Sequence, residues 1–264
     1  MVESGFITLL GFSTPGVAGH VVTVFGHTRN SDEWHPQALP AYAGPSGNEF
    51  YSSSGWIDHF IIHDDNFGPY YSLSARALEV DPRIQAQIIV PLCPIKIVNS
   101  SVWAESTASL FLNNLLADIQ SAAQPYATGD WWSYITASDR KYILRSILIS
   151  REDYLRHIGS ICGHDLSRMK QTELMLFRGL PELFWMVEFT LPALYTGNRS
   201  KLGEVLLSSV ARRDPTNLGG LFLGIRMPKV FASLDAMGTA IIAHQVSLDS
   251  HASLFRIRDH DNQW

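Results

Sequence analysis

Two stretches decide how the first part of this chain is read: GHVVTVFG at residues 19–26 and WIDHFIIHDDNFGPYYSL at residues 56–73. The first is compact and β-branched from His20 to Gly26, the composition that suits a pleated, half-buried strand. The second holds a strand over Ile57–His63 and then a turn, DDNFGP, in which Gly68 supplies the positive φ that a tight reversal needs. A returning strand follows over Tyr70–Leu73. Outward from these, Phe6–Phe12 is a short apolar run closed by the Ser13-Thr14-Pro15-Gly16 turn, and Gln85–Pro91 is a fifth strand. Together they predict an antiparallel meander able to curl into a half-barrel. Thr28–Trp56, rich in Pro, Gly, Ser and Asn, reads as a long loop, of the kind that is usually functional or mobile.

Within this frame His20 opens its strand directly after a glycine-rich turn, which would let a rigid strand project the ring into a cleft. The third strand ends in His63-Asp64-Asp65. If the two strands are antiparallel neighbours, Asp64 would accept the His20 ring N–H, fix its tautomer and stabilise the imidazolium, with Asp65 the adjacent alternative. Tyr51, Trp56 and Tyr70 would flank such a cleft. The competing account is an Asx cap, in which the aspartates only close their own turn.

The ordered set SGFITLLGF, GHVVTVFGH and WIDHFIIHDDNFGPYYSL resembles the second half of the papain-like cysteine peptidase fold, nearest the bacterial branch related to double-glycine leader peptidases. The resemblance spans a little over a third of the chain. It implies an α+β papain-like half-barrel over residues 1–98 and a peptide or protein substrate. It places the family's histidine at His20, its glycine at Gly26 and its aspartate at Asp64. It also implies a nucleophilic cysteine upstream of the histidine, at a helix N-terminus that lowers the thiol pKa, and a glutamine before that for the oxyanion hole. None of the nineteen residues before His20 is a cysteine, and Phe6–Phe12 already begins in mid-sheet. The expectation is therefore a domain whose nucleophile half is missing or lost, inactive by itself. A non-catalytic peptide-binding module is the alternative, and a metal-dependent hydrolase using His59, His63 and Asp64, with His27 nearby, is the third reading.

From Ser101 the pattern changes. Ser101–Gln120 carries Leu110, Phe111, Leu115 and Ile119 at helical spacing behind a Ser100 or Ser101 cap. Strands are predicted over Lys141–Ile149, Phe184–Thr190, Gly203–Ser208, Leu221–Ile225 and Val230–Leu234, and short helices over Arg151–Ile158 and Gln171–Phe177. Residues 101–264 thus read as a second α+β unit of unknown role, with a polar tail from Ser247. Trp131-Trp132 and Phe184-Trp185 read as core aromatics, and Glu188, alone among apolar neighbours, as either a solvent-facing or a buried functional carboxylate.

Composition bounds the rest. With 46% hydrophobic and 17% charged residues the chain is globular, and a net charge of −5 without basic runs leaves no footprint for nucleic acid. Ala86–Val98, broken by two prolines and Lys96, is too short to span a bilayer, and no signal peptide opens the chain. The only cysteines are Cys93, read as a buried inert thiol, and Cys162, beside His164 and Asp165 but with no spatial warrant for reactivity. A reduced, cytoplasmic protein without a cofactor or resident metal is expected.

Overall fold

The computed structural model describes residues 1–29, 42–43, 49–94, 99–124, 132, 141–161, 171–191, 200–210, 220–246 and 255–256. It is an α+β protein whose chain divides into two compact units. The first unit holds strands β1 (Thr8–Thr14), β2 (Val17–Arg29), β5 (Ile57–Asp64), β6 (Gly68–Ser74) and β7 (Gln85–Pro91), with the short helix α1 (Ala75–Val80). They form one antiparallel sheet in the order β6-β5-β2-β1-β7. The meander is thus present, and β7 returns to its far side beside β1. Gly68 takes φ 94° in the β5–β6 turn, the conformation that only glycine adopts without strain.

One face of this sheet is packed. Leu10, Val22, Val24, Ile62 and Leu73 form its core, and Val2, Phe12, Phe60 and Leu78 of α1 pack around them. Period-two alternation then puts Val21 on the opposite face, where it is exposed together with Phe25, Ile88 and Val90. The helix α1 was not anticipated from the sequence. Ser74 starts it by accepting the Ala77 N–H, a capping bond in a stretch to which no element was assigned.

The second unit is an eight-stranded sheet of order β14-β13-β12-β11-β9-β8-β4-β3. Its members are β3 (Tyr42–Ala43), β4 (Glu49–Ser52), β8 (Ile143–Ser150), β9 (Leu183–Thr190), β11 (Gly203–Ser208), β12 (Phe222–Met227), β13 (Val230–Leu234) and β14 (Ile241–Gln245). A separate ribbon pairs β10 (Ser200–Lys201) with β15 (Phe255–Arg256). The stretch 28–56 is therefore not wholly loop: β4 pairs parallel with β8 and belongs to the second unit, although it precedes β5 in the chain. β14 was also unforeseen, because Ile241-Ile242-Ala243 carries no polar alternation to mark a strand.

Helix α2 (Ser101–Ala123) lies on one face of this sheet, where Phe111 meets Phe222 at 4.8 Å. Its N-cap is Ser100, whose hydroxyl accepts the Trp103 N–H. The buried stripe runs through Ala104, Ala108, Phe111, Leu112, Leu116, Ile119 and Ala123, so Leu110 and Leu115 flank the seam rather than form it. Helices α3 (Arg151–Ile161) and α4 (Gln171–Arg178) cover the other face. There Tyr154, Ile158 and Phe177 pack on Ile147, Ile149, Phe184, Met186, Leu206 and Phe231. Each such side chain contributes roughly 1.5–3 kcal/mol of burial.

Candidate functional site

His20 and Asp64 meet in the first unit. Thr23 lies opposite His63 in the β2–β5 ladder, so Asp64 falls on the packed face with Val22, and His20, two residues before Val22, shares that face. The contact is 3.0 Å from the ring Nε2 to Asp64 Oδ2. The other carboxylate oxygen accepts the Asn66 and Phe67 amides at 2.8 and 3.3 Å. Asp64 is thus both turn cap and ring partner, with its two oxygens divided between the two contacts. Burial pushes its carboxyl up, but the Asn66 amide, the His20 ring and the Phe67 amide outweigh it and leave the pKa below the ordinary value. The imidazole is partly exposed, Phe12 meets it edge-on at 5.6 Å, and Asp65 stands 3.5 Å from Nε2 at the rim. With Nε2 turned to Asp64, Nδ1 is left to exchange a proton.

Other residues singled out from the sequence are distributed differently. Trp56 is buried, at the end of the turn of 3₁₀ helix that leads into β5. Tyr70 is exposed at φ 64°, an uncommon left-handed conformation for an aromatic residue, and meets Phe25 edge-on. Tyr51 sits on β4 of the second unit. His59 and His63 share a strand face, but Asp64, adjacent to His63, points to the other, so the three do not converge as metal ligands. Cys93 is half-buried rather than buried. It follows Pro91, which pairs with Thr8, itself opposite Val24. Four residues of strand at about 3.3 Å each separate Val24 from His20, so Cys93 stands at the other end of the sheet, over ~13 Å from the ring. Cys162, His164, Asp165 and Trp131 lie outside the described residues.

A second constellation, of which only Glu188 was legible beforehand, lies in the second unit. The ladder registers place Arg145, Glu188, Glu204 and Arg226 directly opposite one another across β8, β9, β11 and β12. Cross-strand partners share a face, so the four charges form one row across the sheet, on the side covered by α3 and α4. All are buried, as are Lys201 and His157. Lys201 Nζ lies 2.5 Å from Glu188 Oε1 and 2.6 Å from Glu204 Oε1. His157 Nε2 is 2.6 Å from Glu204 Oε1, and the Tyr154 hydroxyl donates to Glu204 Oε2 at 2.8 Å. Arg145 stands 3.5 Å from Glu188 Oε2. Burial alone would raise both carboxyls, yet Lys201, with His157 for Glu204 and Arg145 for Glu188, holds them below the ordinary range, Glu204 the further. Burial, then Lys201, keeps His157 on the neutral side.

On the α2 face, Glu105 accepts the Ser146 hydroxyl at 3.0 Å and its N–H at 3.3 Å, and burial pushes its carboxyl up to about 7. Among the described residues, no helix is long and apolar enough to cross a membrane. No family model, curated protein or solved structure matches the chain.

Proposed function

We propose that the first unit is the histidine-bearing part of a papain-like amide hydrolase site, with His20 as general base and acid and Asp64 as its orienter. The observation that carries this reading is the buried Asp64 carboxylate, anchored by two turn amides and facing His20 Nε2 at 3.0 Å. Such an anchored carboxylate holds the imidazole in one tautomer and orientation. In the reaction, a cysteine thiol gives its proton to His20 Nδ1 as sulfur attacks the amide carbon. The imidazolium then returns that proton to the departing amine as the C–N bond breaks. His20 next removes a proton from the water that hydrolyses the thioester. Peptides are the substrate class, and Cys93 is too distant to be the nucleophile.

The absence of a thiol near His20 among the described residues favours one second reading, a peptide-binding module that retains the pair without turnover. A peptidyl chloromethyl ketone, applied to the full chain between pH 5 and 9 with mass-spectrometric mapping, tests the proposal. We expect alkylation of His20 faster than of exposed His63, slowed by Asp64→Ala and protected by a competing peptide. His20 labelled no faster than His63 overturns it. His20 labelled no faster than His63, yet still protected by the competing peptide, selects the binding module.

A further inference from the structure

The buried row in the second unit contains a hydrogen-bond conflict. His157 Nε2 lies 2.6 Å from a carboxylate oxygen of Glu204, a contact that requires a proton on the nitrogen. The same Nε2 lies 3.0 Å from the Lys201 ammonium, a contact that requires a lone pair. One ring nitrogen serves only one of these. Protonated, it faces the ammonium donor to donor; unprotonated, its lone pair abuts the carboxylate.

A metal ion removes the conflict, because all three groups then present lone pairs to one centre. The ligand atoms of His157, Glu188 and Glu204 lie within 4.8 Å of one another. Their focal point is already a cation position, held by Lys201 Nζ. One imidazole and two carboxylates supply three nitrogen and oxygen donors, the number a zinc site with one open position takes from the protein. Outer partners are also built in: Tyr154 donates to the second oxygen of Glu204, and Arg145 stands beside that of Glu188. We propose that His157, Glu188 and Glu204 form a divalent metal site of the zinc class, which takes its ion in exchange for the Lys201 ammonium. This site is independent of the His20–Asp64 pair.

Zn²⁺ titration of the chelator-treated full chain by calorimetry, with circular dichroism to verify the fold of each variant, tests it. The wild type should take one equivalent, and Lys201→Met should take the same equivalent more tightly, the competing ammonium being gone. Glu204→Gln should lose it and His20→Ala should keep it. X-ray absorption of the zinc-loaded wild type should read nitrogen and oxygen donors without sulfur, a readout that needs no variant to fold. No bound metal in folded wild type overturns the proposal. So does binding that survives Glu204→Gln and disappears in His20→Ala, which would put the ion on the His20–Asp64–Asp65 group instead.

Discussion

Glu105 and Arg145 make opposite demands on their surroundings, and each yields a prediction. Glu105 reaches Ser146 from α2, and burial raises its pKa to about 7. A carboxyl raised above its unfolded value favours the protonated fold. Its stabilisation is complete below about pH 4.5 and is lost as pH rises through about 7. Glu105→Gln keeps the acceptor and removes the titration. The variant should be more stable than wild type at pH 8 and equal to it near pH 4.5, read as urea midpoints. Arg145 instead compensates Glu188 in the buried row. Arg145→Met leaves that carboxylate with less than its complement of positive charge, and should cost about 3–5 kcal/mol in denaturant unfolding, the usual penalty for breaking a buried ion pair from one side.

Among the elements, α2 and β7 show how local chemistry sets boundaries. Ser100 caps α2 through the Trp103 N–H, and Ser100→Ala should lower stability by about 1 kcal/mol, seen as a lower thermal midpoint with unchanged helix content at 20 °C. β7 is an edge strand. Leu92 turns its N–H inward to the Ile7 carbonyl, so by alternation the nitrogen of Pro91 faces outward, where no donor is needed. An irregularity beside Gly11 further breaks the edge, a common way to blunt pairing with another chain. Gly203 is a different boundary: a Cβ there would lie 2.7 Å from the Phe189 ring. Gly203→Ala should therefore destabilise the β9–β11 ladder, visible as faster amide exchange in both strands.

At the scale of the whole molecule, the two units should respond differently to acid and to exchange. Glu188 and Glu204 have depressed pKa values, so their stabilisation exists above the ordinary carboxylate range and is lost as pH falls through the folded values. His157, also depressed, acts in the same direction below about pH 6.5, while Glu105 opposes it until its own gain is complete. Acid unfolding of the second unit should therefore begin below about pH 4.5, followed through fluorescence of buried Trp185. At neutral pH, β8, β9 and β11, covered on both faces, should exchange amide hydrogens most slowly. The first unit, with one face exposed, should exchange sooner. By itself the sequence determined most strand positions and the long helix, because these rest on short-range periodicity; the meeting of His20 with Asp64, 44 residues further on, followed only once β2 and β5 lay side by side. Of the charges Arg145, Glu188, Glu204 and Arg226, Glu188 alone stood out, as a single carboxylate among apolar neighbours. Only the tertiary structure decided that they align, that Lys201 and His157 join them, and that β4 crosses to the second sheet. These outcomes depend on registers between segments tens of residues apart, and no local pattern of side chains encodes which strand will lie beside which.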